Sequence, residues 1–316
     1  LYDLTNSYFE GEKRGSQLAR YGRSKEKRSD CPLVVLALVV NVEGFIKYSS
    51  IFQGNFSDSK SLCQVIDHLR LSTSTNSKRA IVVIDAGIAR EDNLALIQEN
   101  GYDYVCVSRS TKAQIRKSKT GEPVIVNDKK NREIILGKVH TNNDSAYYLK
   151  VTSPAKALKE RAMKILFEQW FEDGLECVNA GLNKKSGVKT YEKVEEHIGR
   201  MKQKYPSVHN RYTIEIEKQT VLVNSKSKSG KAKENCIALK WEKIAKADVQ
   251  EKQECGVYFL RTCIKENEET LVWTVYHCIR NIESSFRTLK TDLDLRPILH
   301  KSDEATQAHL HLGLLA

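Results

Sequence analysis

Long apolar runs are missing from this chain of 316 residues. None reaches the roughly 18 residues that a membrane span requires, so no membrane partner is expected. The longest, Leu33 to Val40, has the length of a buried strand. An N-terminal leader with a basic start and an apolar middle is missing too. The cysteines at 31, 63, 106, 177, 236, 255, 263 and 278 include no Cys-x-x-Cys pair, and no group of histidines accompanies them. That argues against a zinc site. Several of these cysteines lie in apolar or mixed stretches, as reduced core thiols do, so a reducing, cytoplasmic compartment is expected. No glycine-rich phosphate loop follows a strand, which counts against a nucleotide-binding α/β protein. No internal repeat is present.

Hydrophobic residues make up 40% of the chain, enough for a substantial core. The net charge is +11. From Lys184 to Lys233 there are 13 Lys and Arg against 5 Asp and Glu, which gives +8. Such a concentration favours a polyanionic partner, nucleic acid first; a solvated basic face is the plainer alternative. The first residue is Leu, and His309 to Ala316 reads as a helix cut in mid-run, so the chain is expected to be a fragment.

Taken in order, residues 1 to 10 read as a strand with Asp3 in its interior. An acid there is either an exposed-face residue or a site residue. A basic loop runs from Gly11 to Asp30. Leu33 to Val40 and Phe45 to Phe52 read as a hairpin. A helix is expected from Lys60 to Leu71, a strand from Ala80 to Ile84 ending on Asp85, a helix from Arg90 to Asn100, and a strand from Tyr102 to Val107. If the strand of Asp85 lies parallel beside the first, Asp3 and Asp85 stand side by side at one sheet edge.

From Arg109 to Glu254 the character changes. Lysine-rich turns separate strands at Glu133 to His140 and Tyr147 to Val151, helices at Pro154 to Asp173 and Tyr191 to Tyr205, and strands at Tyr212 to Glu217 and Thr220 to Asn224. The Ser/Lys/Gly run Ser225 to Lys233 reads as an exposed or disordered loop. The whole stretch reads as an insertion, because Gly256 to Thr262 resumes core-strand character.

A helix over Tyr276 to Lys290 carries an apolar stripe of Ile279, Ile282, Phe286 and Leu289. Tyr276, Glu283 and Lys290 sit seven apart, hence on one face, with Arg280 and Arg287 a turn to either side of Glu283. Read alone, that face is an ion-pair ladder or a site for metal and phosphate. With Asp3 and Asp85 upstream, a three-carboxylate set becomes available. Such a set suits two Mg2+ or Mn2+ ions acting on a phosphodiester.

The blocks Tyr-Asp-Leu-Thr from Tyr2, Gly22 to Asp30, Gly54 to Ser59, Val83-Ile84-Asp85-Ala86-Gly87, and Ile282 to Lys290 followed by Leu295-Arg296-Pro297 carry a resemblance. Together they make the chain similar to a DDE transposase of bacterial insertion sequences, in the branch with a Tyr-Arg-Glu-Lys signature. Tyr276, Glu283 and Lys290 match that signature, whereas its arginine position holds Ile279, with Arg280 next. The resemblance implies an α/β fold, a ribonuclease-H-like mixed sheet flanked by helices and interrupted by a large basic α+β insertion. The catalytic core would take 1–108 and 255–316, and the insertion 109–254. Asp3, Asp85 and Glu283 would be the catalytic residues and the ligands of two Mg2+ or Mn2+ ions. Tyr276, Arg280, Arg287, Lys290, Arg23 and Lys25 would meet DNA. The implied partners are double-stranded DNA, as terminal inverted repeats and target, and a second copy on paired ends, in a bacterial, nucleoid-associated setting. The competing reading of the same residues is a catalytically inert DNA-binding remnant.

Overall fold

A computed structural model describes residues 1–25, 28–72, 80–108, 121–139, 146–184, 186–222, 232–244, 255–264 and 269–316. Its strands are β1 (Tyr2–Tyr8), β2 (Leu33–Val40), β3 (Ile46–Gln53), β4 (Ile81–Ile84), β5 (Asp103–Val107), β6 (Val124–Asn127), β7 (Glu133–Val139), β8 (Tyr147–Thr152), β9 (Tyr212–Leu222), β10 (Ala232–Lys243) and β11 (Val257–Thr262). Its helices are α1 (Asp58–Ser72), α2 (Glu91–Glu99), α3 (Pro154–Leu182), α4 (Tyr191–Lys204), α5 (Glu269–His277), α6 (Ile279–Arg287) and α7 (Asp303–Leu315). The chain divides into two compact units, 1–152 with 258–316, and 153–257.

The first unit is built on one mixed sheet in the order β3-β2-β1-β4-β5-β11-β8-β7-β6. The antiparallel hairpin β2–β3 lies beside β1, and β1, β4 and β5 run parallel. β2 explains the arrangement. All eight of its residues are buried, because helices cover both faces. Val35, Ala37 and Val39 pack in one cluster with Leu62, Ile66, Leu94 and Ile97 of α1 and α2. Val34, Leu36, Leu38 and Val40 pack on the other face with Ile282 and Phe286 of α6 and with Leu310 of α7. A strand buried on both sides reads as an unbroken apolar run rather than an alternation.

The same period of two sorts β4 and β5. Val82, Ile84, Tyr104 and Cys106 belong to the α1/α2 side, whereas Val83 and Val105 meet Val272 and Trp273 of α5 on the other. Tyr2 and Leu4 of β1 point to α1 and α2, so Asp3 points to the opposite side.

The stretch 121–152, expected as part of the insertion, contributes β6, β7 and β8 to this sheet. The reason is burial: Leu136, Leu149 and Val151 close the cluster of Val83 and Leu260. In the second unit α3 and α4 pack on the antiparallel pair β9–β10 around Phe171, Leu175, Ile198 and Leu239. Where the sequence reading expects two short strands, β9 is a single strand of 11 residues paired with β10. The part of the Ser/Lys/Gly run before Ala232 lies outside the described residues. All eight cysteines are free, and Cys31, Cys106, Cys236 and Cys263 are buried. Among the described residues no helix is long and apolar enough to cross a membrane.

Candidate active site

Parallel pairing of Tyr2 with Ile84 sets the register of β1 on β4. The next residue on each strand is an aspartate, so Asp3 and Asp85 are neighbours at the carboxyl end of β4. Both follow the period-two alternation onto the face that α5 and α6 cover.

Asp3 is held tightly. Its Oδ1 accepts the Leu4 amide at 2.7 Å, and the Lys25 ammonium stands 3.6 Å from the same atom. Lys25 also donates to the Leu4 carbonyl, and its amide donates to Asn6 Oδ1 at 3.3 Å. Asn6 Nδ2 in turn donates to the Arg23 carbonyl at 3.0 Å. The basic loop is thus sewn to β1 through Asn6, and Lys25 turns inward upon Asp3. Gly22 and Gly54 anchor that loop to the hairpin. A Cβ on Gly22 would overlap the Gly54 carbonyl, and one on Gly54 would overlap the carbonyls of Leu33 and Arg20.

Asp85 caps its own turn, with its carbonyl accepting from Ile88 at 3.0 Å and its Oδ2 from Gly87 at 3.4 Å. Its side chain is exposed. Glu283 lies on α6 and is exposed as well, while the neighbouring Ile282 and Phe286 anchor that helix on β2. Asn281 Nδ2 donates to the Val42 carbonyl at 2.8 Å, fixing the helix to the β2–β3 turn.

The helix expected over Tyr276 to Lys290 is interrupted twice. α5 ends at His277, a turn at Cys278 leads into α6, and a π-helical turn spans Thr288 to Asp292. A wider turn shifts the phase. Tyr276, Glu283 and Lys290 therefore do not form one straight face. Tyr276 is half-buried against Tyr258, with ring centroids 6.4 Å apart. Burial, joined by Tyr258 and the charges of Asp85 and Glu283, pushes its hydroxyl up to about 12. Lys290 lies near Asp3 instead. Burial, joined by the charge of Lys25 and opposed by that of Asp3, brings its ammonium down to about 8. Ile279 is a core residue that packs in both clusters beneath the two helices. Arg280 is exposed, and its charge acts on the hydroxyls of Tyr258 and Tyr276. Arg23 and Arg287 are exposed.

The structure therefore gathers two groups on one sheet face: Asp3 with Lys25 and Lys290, and Asp85 with Tyr276, Glu283 and Arg280. Among the described residues, no three His, Cys, Asp or Glu side chains converge closely enough to hold a metal ion. Tyr258 and Asn6 escaped the sequence reading. Tyr258 sits within an ordinary-looking strand, and the role of Asn6 depends on a contact 17 residues away.

The family model described as a transposase DDE domain matches residues 3–316. The chain belongs to this family of DDE transposases. The mixed sheet with its flanking helices is the ribonuclease-H-like core of such a transposase. No curated protein matches the chain. Among solved structures it is similar to a piggyBac transposase synaptic complex with hairpin DNA, at 12% identity and a TM-score of 0.25, over 46% of this chain and 34% of that one. A likeness so low carries no argument here. Asp3, Asp85 and Glu283 offer oxygen donors only, the kind that hard divalent ions take. A cation, the Lys25 ammonium, already stands against Asp3.

Proposed function

We propose that this chain is the catalytic region of an insertion-sequence transposase, a polynucleotidyl transferase that cuts DNA at terminal inverted repeats and joins the freed 3′-hydroxyl to a target. One observation supports the reading: the Tyr2–Ile84 register makes Asp3 and Asp85 neighbours, and the Tyr276 hydroxyl feels the charges of both Asp85 and Glu283. Asp3, Asp85 and Glu283 are the residues that would hold two Mg2+ or Mn2+ ions. Such a pair activates the attacking oxygen and stabilises the leaving one. Lys290, Arg280 and Arg287 line the approach and supply cations for the phosphate backbone, which needs charge but no reading of bases. Tyr276 stays a neutral hydroxyl at neutral pH and serves as a hydrogen-bond donor to a phosphate oxygen. Lys25 holds Asp3 in place. In this reading the catalytic core takes 1–108 and 255–316 together with the strands that 121–152 adds to the same sheet, and the basic stretch within 153–254 holds the ends. The protein acts as a homodimer on paired ends in the bacterial nucleoid.

The test is cleavage of terminal-repeat DNA with Mg2+ or Mn2+, comparing the chain with Asp85→Asn and Glu283→Gln. Each substitution should lower the rate at least 1000-fold, on the order of 4 kcal/mol of transition-state stabilisation, while leaving DNA affinity within a few fold. Cleavage that survives either change sinks the assignment.

A further inference from the structure

Asp3 is crowded by cations. The Lys25 ammonium stands 3.6 Å from Asp3 Oδ1 and also donates to the Leu4 carbonyl, so it lies between a carboxylate and a backbone oxygen. Those are donor types that a hard divalent ion takes. The Lys290 ammonium is near enough for the charges of both Lys25 and Asp3 to act on it. A divalent ion on Asp3 would be a third cation around one carboxylate. It would lie well inside the Debye length of about 8 Å from Lys25, so salt would screen their repulsion only weakly.

Of the two lysines, Lys25 is the one that can leave. Its side chain is 44% exposed and belongs to a loop. The loop is tied down by other atoms: the Lys25 amide donates to Asn6 Oδ1, and Asn6 Nδ2 donates to the Arg23 carbonyl. Both bonds survive when the flexible four-carbon stem of Lys25 swings outward. Lys290, by contrast, is half-buried in the π-helical turn, next to the buried Leu289.

We propose that Lys25 is a built-in placeholder: its ammonium keeps the Asp3 carboxylate paired in the ion-free protein and swings out when a divalent ion takes Asp3. The exchange is one cation for another. A lysine that steadied Asp3 with the ion in place would strengthen ion binding. A placeholder weakens it, because the ion binds only the fraction of molecules in which Lys25 is out. The two roles therefore predict opposite signs for the loss of Lys25. The placeholder presupposes the metal site proposed above, and the two are tested apart.

The experiment is Mn2+ binding to the full chain, without DNA, read from the electron paramagnetic resonance signal of the free ion, so that no cleavage is needed. Lys25→Met removes the charge and keeps the length of the stem. It should lower the dissociation constant for Mn2+ at least threefold, roughly the factor by which an exposed ion pair holds Lys25 in. Lys25→Gln should give the same gain, and both variants are checked for an unchanged circular dichroism spectrum. In the Asp3→Asn background the gain should vanish, whereas a general field of Lys25 on the remaining carboxylates would persist there. Mn2+ bound by neither wild type nor Lys25→Met up to about 1 mM sinks the metal site and the placeholder together. Binding that Asp85→Asn weakens, but that Lys25→Met leaves unchanged or weakens, overturns the placeholder alone. An equal gain with and without Asp3 overturns it as well.

Discussion

Gly54 shapes the site more than its exposed charges do. Three backbone segments cross there: the end of the β2–β3 hairpin, the start of β2 at Leu33, and the basic loop at Arg20 and Gly22. The Gly54 amide donates to the Leu18 carbonyl at 3.1 Å, and Arg20 and Leu33 exchange backbone hydrogen bonds at 3.1 and 2.8 Å. Any side chain on Gly54 would collide with carbonyl oxygens of Leu33 and Arg20. Backbone cannot swing aside as the end of a flexible side chain can. Gly54→Ala should therefore destabilise the fold by about 2–4 kcal/mol, read from urea unfolding. It should also lift the loop that lays Lys25 on Asp3. An alanine that costs less than about 0.5 kcal/mol would show that this crossing is loose.

At the level of elements, α7 is tied to the loop by a single carboxylate. Asp303 lies in the first turn of α7, where the helix dipole favours an acid. It accepts from Gln17 N at 2.7 Å, from Leu18 N at 3.3 Å and from the Ser16 hydroxyl. Partial burial raises its pKa, but these hydrogen bonds lower it more, so the carboxyl ends below its ordinary value of 3.8. The sign follows. A folded pKa below the unfolded one stabilises the protein above pH 3.8, and that contribution fades as the pH falls through the lowered value. Asp303→Asn should cost on the order of 1 kcal/mol at pH 7, with the gap to wild type closing below pH 4 in thermal melts. No sequence pattern announces this tie, since Ser16 and Asp303 lie 287 residues apart. The elements themselves were far more legible. Leu33 to Val40 is apolar at every position, and a strand covered on both faces has to be. Asp85 ends a short apolar strand, and the neighbourhood of Asp3 and Asp85 follows from strand order alone. The helix around Glu283 was legible only in part. Ile279, Ile282, Phe286 and Leu289 show its apolar stripe, but the turn at Cys278 and the π turn at Thr288 to Asp292 leave no mark in a count of sevens. That is why Lys290 lies by Asp3 rather than in line with Tyr276. The inward turn of Lys25 was equally hidden, because a lysine in a basic loop reads as solvated until Asn6 and Gly22 fix where the loop lies.

For the molecule as a whole, charge is the property through which the proposed DNA binding can be tested. The excess of +11 is concentrated in the stretch from Lys184 to Lys233, which adds +8. Each phosphate neutralised by a Lys or Arg releases condensed counterions, so the logarithm of affinity falls with the logarithm of salt by about 0.9 per contact. The proposed site adds Arg280, Arg287 and Lys290, three cations at most. If the basic stretch supplies the remaining grip, a total of about six to ten contacts is reasonable, and affinity should fall roughly 1000-fold or more between 50 and 200 mM salt. Replacing Lys189, Lys193 and Lys202 together by Gln should flatten that slope by about 2–3 and weaken binding to any sequence alike. Replacing Arg287 and Lys290 should flatten it by at most about 2 and cost cleavage more than binding. The two sets of slopes, measured by fluorescence anisotropy across salt on repeat and random duplexes, separate a protein that grips DNA through its basic stretch from one that grips through the site. A slope unchanged by the triple substitution would mean that the charge from Lys184 to Lys233 is a solvated surface after all.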